Sequence, residues 1–311
     1  MKKFRILQGF YRVKREDLTA VGLNYSQITG KECSIMKKFV TMIFALCLLL
    51  SLAACGAEGQ TITVISREEG SGTRSAFAEL SGVTQDGVDH TYARAEISSS
   101  TAVVLQTVAG NSNAIGYISL GAQSGEVKAL AIDGIAPSAA AVKDGSYPLA
   151  RPFLLGTLGE TRPEVQDFLN YILSDSGQSV ISDAGYVAVS EGAYEISGCS
   201  GTVKVAGSSS VAPVMEKLAE AYMGLNPGVK VEIQTFDSST GLSSLADGLC
   251  DIAMSSRNLK DSETAKGIVP VTICMDRIAV IVHPSNTVEN LDMEQLRAIF
   301  AGEITDWTAL E

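Results

Sequence analysis

This 311-residue chain is poor in the groups that most often carry out chemistry. It has two histidines, His90 and His283. Neither sits in a pattern of partners, so both read as structural, and no Ser-His-Asp or Cys-His arrangement is supported. The six cysteines, Cys33, Cys47, Cys55, Cys199, Cys250 and Cys274, show no Cys-x-x-Cys spacing, and no metal-ligand cluster accompanies them. Neither a metal nor another cofactor is expected. Basic residues are scarce: 24 against 35 acidic ones. Nine of the basic and three of the acidic residues precede Cys55, which leaves a net charge of −17 on the remainder. Nucleic acid is an unsuitable partner for such a surface. Long apolar runs are also missing, apart from one at residues 39–52.

That run has the layout of an export signal. Met36-Lys37-Lys38-Phe39 gives a basic start, the apolar stretch follows, and Leu52-Ala53-Ala54-Cys55-Gly56 ends it with small residues before a cysteine. The last five residues resemble a bacterial lipobox, which implies that residues 36–55 are a lipoprotein signal peptide and that Cys55 carries the lipid. Residues 1–35 have no apolar segment, and Met36 restarts with the same Met-Lys-Lys-Phe that opens the chain. They read as an upstream extension or a start site placed too early. With Cys55 acylated, Cys199, Cys250 and Cys274 remain. Export permits one disulfide among them without choosing the pair, and buried free thiols are the default.

With 46% hydrophobic and 19% charged residues, the chain can build a large core, and its length suits two compact units. The stretch Ile62-Thr63-Val64-Ile65-Ser66-Arg67-Glu68-Glu69-Gly70-Ser71-Gly72-Thr73-Arg74 reads as a β-branched strand, a glycine-serine turn and a helix opening at Ser71. Such a turn gathers unpaired backbone N–H groups and the positive end of a helix dipole, an arrangement suited to an oxyanion. Ser71 and Thr73 add hydroxyls, Gly70 and Gly72 allow close backbone approach, and Arg67 and Arg74 offer forked donors. The Walker phosphate loop does not fit, because no lysine follows the turn.

Beyond that turn, strands and helices alternate up to about Val189: a helix near 99–108, strands near 114–118, 127–132 and 152–156, helices at 163–173 and 177–184, and a strand at 186–189. Residues 190–200 are small and polar enough for a linker. The alternation resumes with strands near 202–206, 229–234 and 251–254, helices near 214–223 and 292–300, and two further strands at 267–273 and 277–283. This pattern argues for an α/β fold with mainly parallel sheets, whose ligands sit beyond the carboxyl ends of the strands. Three serine-rich turns follow strands: Gly70–Thr73, Gly207–Ser210 and Ser238–Gly241.

The turn Arg67-Glu68-Glu69-Gly70-Ser71-Gly72-Thr73-Arg74 resembles the anion-binding turn of the phosphate-binding proteins that serve ABC importers. Ala206-Gly207-Ser208-Ser209-Ser210 is similar to that family's first anion loop, Phe236-Asp237-Ser238-Ser239-Thr240-Gly241 to its second, and Asp251-Ile252-Ala253-Met254-Ser255-Ser256-Arg257 to its third. Leu291-Asp292-Met293-Glu294-Gln295-Leu296 through Asp306-Trp307 resembles a segment that leads, in the family, directly into the Gly-Ser-Gly-Thr motif. The resemblance covers nearly all of 61–311, but the halves stand in reversed order. Residues 61–189 correspond to the family's C-terminal half and 201–311 to its N-terminal half. A circular permutation and a piece of a larger tandem gene both fit this order. Residues 190–200 span at most about 35–40 Å when extended, enough to join neighbouring termini.

The resemblance implies a bilobal, periplasmic-binding-protein-like clamshell, circularly permuted, with two mixed, mainly parallel sheets. Lobe A would hold 201–270 and about 130–189, lobe B 61–125 and 278–311, with hinge strands near 114–132 and 269–282. It implies that Arg67, Ser71, Gly72, Thr73, Ser209, Ser210, Ser238 and Ser256 contact inorganic phosphate, without catalysis, for hand-over to an ABC permease. The protein would be tethered by its lipid to the outer face of the bacterial cell membrane, with the anchor on lobe B. Some family members carry an aspartate where Ser256 stands, to accept the proton that phosphate keeps and sulfate lacks. Its absence leaves Asp237, Glu68 or Glu69 as stand-in acceptors, each also readable as a solvated carboxylate, and keeps sulfate and molybdate open as ligands. Arg74 and Arg257 read as exterior salt-bridge residues. A surface sensor or adhesin, or an exported phosphate-ester enzyme, are the readings from other classes.

Overall fold

The computed structural model describes residues 60–122 and 125–310. The signal segment 36–55, Cys55 and the upstream residues 1–35 lie outside the described residues.

Eight strands form the path of one curled sheet. They are β1 (Thr63–Arg67), β2 (Glu96–Ser98), β3 (Ala114–Ser119), β4 (Ala150–Leu158), β5 (Gly201–Ser208), β6 (Val229–Phe236), β7 (Ile252–Ser255) and β8 (Ile268–Val282). Their spatial order is β6-β5-β7-β4-β8-β3-β1-β2. At one end β1 runs parallel to β2 and β3; at the other β5 runs parallel to β6 and β7. Two long antiparallel strands, β4 and β8, join these groups. The two expected sheets are therefore one hydrogen-bonded surface, because β8 pairs with β4 through its first ten residues and with β3 through its last five. The sequence suggested two strands here, since Met275-Asp276-Arg277 interrupts the apolar run, yet the backbone continues through the polar residues.

The lobes are separated by their cores. In lobe B, alternate residues of β1, β3 and β8 point to opposite faces, as a two-residue period requires. Val64, Ile115, Tyr117, Ile278 and Val280 pack with Phe77 of helix α1 (Gly72–Leu80) on one face. Ile65, Ile118, Ala279 and Ile281 pack with Val104 and Val108 of helix α2 (Thr101–Ala109) on the other. Lobe A is likewise two-faced. Helices α3 (Pro163–Leu173), α4 (Asp175–Asp183) and α5 (Ala212–Leu225) contribute Phe168, Ile172, Ile181, Leu218 and Tyr222 beneath Val203, Val205 and Ile252. Helix α6 (Ser238–Ala246) covers the opposite face with Leu242 and Leu245. Pro163, at the helix start where its missing N–H costs nothing, opens α3 as the sequence suggested.

The boundary between lobes differs from the expectation. Leu130, Ile132, Tyr147 and Leu149 share a core with Phe77 and Phe300, so residues 130–149 belong to lobe B. Strand β3 also lies wholly in lobe B, and the crossings occur near Arg151 of β4 and Asp276 of β8. Short pieces with weak periodicity, the strands Lys128–Ala129 and Ala131–Ile132, hid this from the sequence. Helix α7 (Met293–Ala301) completes lobe B, with Phe300 edge-on to Phe77 and Phe77 stacked on Tyr117.

Two connections concern chain order. Residues 190–200 carry no regular structure but do not float free: the Tyr194 hydroxyl donates to Asp167 of α3 at 2.8 Å, and Asn226 donates back to that hydroxyl at 2.8 Å. Meanwhile, Gln60–Ile62 pairs with 305–307. The Ile62 N–H donates to the Thr305 carbonyl, and the Trp307 N–H donates to the Gln60 carbonyl, both at 2.9 Å.

Candidate functional site

Four strands, β1, β2, β5 and β6, each end in a turn that starts a helix, α1, α2, α5 and α6 respectively. Strand β7 ends beside them in Ser255-Ser256. In each of these turns the first N–H groups of the helix lack intrahelical partners and carry the positive end of the dipole. Small polar residues complete the starts: the Ser71, Ser100 and Asp237 side chains accept from the backbone of α1, α2 and α6. Two contacts of bare backbone bring the turns close. A Cβ on Gly241 would lie 2.5 Å from the Gly207 Cα, so α6 starts directly against the end of β5. A Cβ on Gly72 would lie 2.3 Å from the Ser238 Oγ and 2.7 Å from the Ser256 Oγ, so α1 of one lobe faces both serines of the other.

The side chains converge across the cleft. The Arg67 guanidinium, 2% exposed, donates to the Ser209 Oγ at 3.1 Å and to the Thr101 Oγ1 at 3.2 Å. Thr73 and Ser210 exchange a hydroxyl bond at 2.7 Å, and the Thr101 and Ser210 hydroxyls lie 3.1 Å apart. On the lobe A side, the Ser208 Oγ donates to the Ser256 Oγ at 2.9 Å, and the Ser256 N–H donates to the Ser238 Oγ at 3.2 Å. The Ser239 N–H donates to the Gly70 carbonyl at 3.2 Å, a backbone bond between lobes. All eight residues singled out in the sequence are thus drawn to one place: Ser71 as the cap of α1, Gly72 at its first turn, and Arg67, Thr73, Ser209, Ser210, Ser238 and Ser256 through their side chains.

The proposed stand-in acceptors are otherwise engaged. Glu68 receives the Arg67 Nε and Nη2 donors at 2.7 and 2.6 Å, which fixes the guanidinium plane. Asp237 accepts from the Thr240 N–H and hydroxyl, and Glu69 is exposed. Arg74 makes the expected surface bridge to Asp89 at 2.8 Å and also donates to the Arg67 carbonyl. Arg257 does not match its expectation: it is buried, held by Glu263 through both Nη donors and by Ser239, because the segment after β7 folds over it. His283 pairs with Ser285 and His90 is exposed. Cys199, Cys250 and Cys274 are free, with Cys199 only partly buried. Among the described residues, no group of His, Cys, Asp and Glu could hold a metal.

Sequence reasoning missed three contributors. Thr101 follows β2 in a fourth serine-rich turn, Ser98-Ser99-Ser100-Thr101, and that run was a signal available to be counted with the other three. Ser208 lay within a quoted loop without being singled out. Tyr117 left no local signal: its buried hydroxyl accepts from the Arg67 N–H at 3.2 Å and bonds the Ser66 Oγ at 2.8 Å, with its pKa raised by burial.

Two lobes joined by paired crossing strands, with helix starts and hydroxyls facing inward, have the architecture of a solute-binding clamshell. The PBP superfamily domain matches residues 51–176 and 193–310. Phosphate-binding protein PstS 2 of Streptococcus agalactiae is 45% identical over 271 residues, which is 83% of this chain and 92% of that protein. A phosphate-binding protein of a phosphate ABC transporter from Streptococcus pneumoniae, known from its crystal structure, is 42% identical. It covers 81% of this chain and 100% of its own, with a TM-score of 0.65. The likeness to phosphate-binding protein PstS of Bacillus subtilis is 34% over 138 residues, 44% of each chain. The chain belongs to the PBP superfamily and, within it, to the family of the PstS 2 phosphate-binding proteins.

Proposed function

We propose that this protein captures inorganic phosphate outside the cytoplasm and delivers it to an ABC permease. The observation that carries the reading is the convergence of Arg67, Thr73, Thr101, Ser209, Ser210, Ser238 and Ser256 on the helix starts of both lobes. One guanidinium, several hydroxyls and the aimed N–H groups replace the hydration shell of a tetrahedral anion without matching its charge ion for ion. Gly72 contributes its backbone to the same cradle, while Ser71 caps the helix start with its own N–H held by the Glu68 carbonyl at 3.0 Å. Closure of the lobes about the crossings near Arg151 and Asp276 encloses the ligand. The acidic exterior does not oppose this, because surface charge is screened within about 10 Å at moderate salt.

Calorimetric titration with phosphate, arsenate, sulfate and molybdate tests the ligand. Heat and saturation with phosphate and arsenate are expected; saturation by sulfate or molybdate alone replaces the reading. One observation favours sulfate as a competitor: Glu68 and Asp237 each already accept two hydrogen bonds from the protein, which reduces their capacity to accept a phosphate proton.

The same reading includes a permuted chain and a lipid anchor. The pairing of Gln60–Ile62 with 305–307 supports permutation, since it puts the ends of the body side by side in lobe B. The lipobox-like run ending at Cys55 supports the anchor, which then joins the body through lobe B. Cys55→Ser is expected to shift the protein from the membrane fraction to the medium, and retention in the membrane fraction would count against the anchor.

A further inference from the structure

Behind the anion-facing residues lies a second buried charge that the convergence described above does not use. Arg151 stands at the start of β4, where the chain leaves lobe B, and Asp276 stands opposite it on β8, where that strand enters lobe B. They are 2% and 1% exposed. The Arg151 Nε and Nη2 donate to one oxygen of Asp276 at 3.1 and 3.0 Å. The other carboxylate oxygen accepts from the Ser119 hydroxyl of lobe B at 2.8 Å. The remaining Nη1 of Arg151 donates at 3.0 Å to the backbone carbonyl of Ser256, whose own N–H and hydroxyl face the cleft of lobe A. A single guanidinium thus touches the anion loop and both lobe crossings.

We propose that Arg151 is a positioning residue for the anion site, orienting the Ser256 peptide, and that Asp276 sets how much of the Arg151 charge that site feels. This rests on the reading of the site as a phosphate cradle. A salt bridge buried this fully costs desolvation that can exceed its mutual attraction, so stability alone is weak grounds for its placement on the two crossings. The pair is neutral as a unit, which keeps a lone cation from being stranded in the core when no anion is present. Buried surroundings also carry its field further than water would. Arg67 lies close enough to disfavour the charged form of Arg151, after burial and against the support of Asp276. An anion between the lobes therefore relieves both guanidiniums. Arg277, next along β8 and buried, is a further cation within electrostatic reach of Asp276.

The test uses the full chain and inorganic phosphate, with melting curves and calorimetric titrations on wild type, Asp276→Asn and the double variant Arg151→Gln with Asp276→Asn. Asp276→Asn leaves Arg151 unneutralised. Its phosphate-free melting temperature should fall by about 5–10 °C, while phosphate binds about threefold tighter or better. The double variant removes both charges. It should regain most of the lost melting temperature yet bind about tenfold more weakly, since neither the cation nor the Ser256 anchor remains. A purely structural pair would lower melting temperature without separating the two affinities. Dissociation constants within twofold of wild type in both variants, or weaker binding by Asp276→Asn, overturn the inference. Should Asp276→Asn not fold, the double variant alone decides: tenfold weakening supports the inference, an unchanged constant overturns it. If wild type itself gives no heat and no melting shift with phosphate, the functional reading falls and this inference with it. Binding by wild type that both variants match sinks the inference alone.

Discussion

Arg67 shows how one residue is made ready for an anion. Its backbone N–H rests on the Tyr117 hydroxyl, its carbonyl accepts from Arg74, and two of its guanidinium donors lie on Glu68. The rotamer is therefore fixed before any ligand arrives, and the remaining donors reach Thr101 within lobe B and Ser209 across the cleft. A charge-assisted hydrogen bond contributes about 1.5–3 kcal/mol, so Arg67→Ala should weaken phosphate binding by about 10–150-fold. The fold should survive, because Glu68 is partly exposed and can be hydrated. Near-normal titration of that variant would remove Arg67 from the site, whereas an unfolded circular dichroism spectrum would make it a structural residue.

The helix starts act as units rather than as single donors. Gly72 opens α1 with no side chain in the space shared with Ser238 and Ser256, and a methyl group there meets both hydroxyls well inside contact distance. Its backbone lies in no left-handed region, so alanine is not strained locally. Gly72→Ala should leave the melting temperature of the ligand-free protein within a few degrees while lowering phosphate affinity at least about tenfold, because the lobes can no longer meet. An unchanged dissociation constant would mean that this face of α1 does not approach lobe A on binding.

The segment after β7 invites a pH experiment. Glu263 holds buried Arg257 with both oxygens and accepts the Lys260 N–H. Burial raises its pKa, but the bonds from Arg257 and Lys260 outweigh this and leave it below the ordinary value of 4.5. A carboxylate whose folded pKa is lowered stabilises the fold above its unfolded pKa, and that contribution is lost as pH falls through the folded value. Glu263→Gln should therefore lower the melting temperature at neutral pH, with the gap to wild type closing below 4.5. A gap independent of pH would show that the Arg257 pairing carries no net charge effect.

On the scale of the whole molecule, the permutation proposed above makes chain order separable from fold, which a rejoined chain tests. The body's two ends pair in lobe B, and the connection at 190–200 lies along lobe A, pinned by Tyr194. Joining residue 310 to residue 60 through a few glycines and opening the chain within 190–200 should give a protein that folds and binds phosphate within a few-fold of the original, since loop closure costs change only slowly with length. Loss of folding in the rejoined chain would show that the order seen here is needed. The sequence alone determined the alternation of strands and helices, the helix opening at Ser71 and the serine-rich turns, because these depend on local periodicity, capping and backbone freedom. The eight residues that converge came instead from the resemblance of the strand ends and helix starts carrying them to the phosphate-binding family. Only the tertiary structure decided that residues 130–149 fall in lobe B, that β8 runs unbroken through Asp276, and that Thr101, Tyr117 and Arg151 stand beside the cleft. Those facts rest on pairings between residues dozens to more than a hundred positions apart, and no local pattern records which strand a buried charge will face.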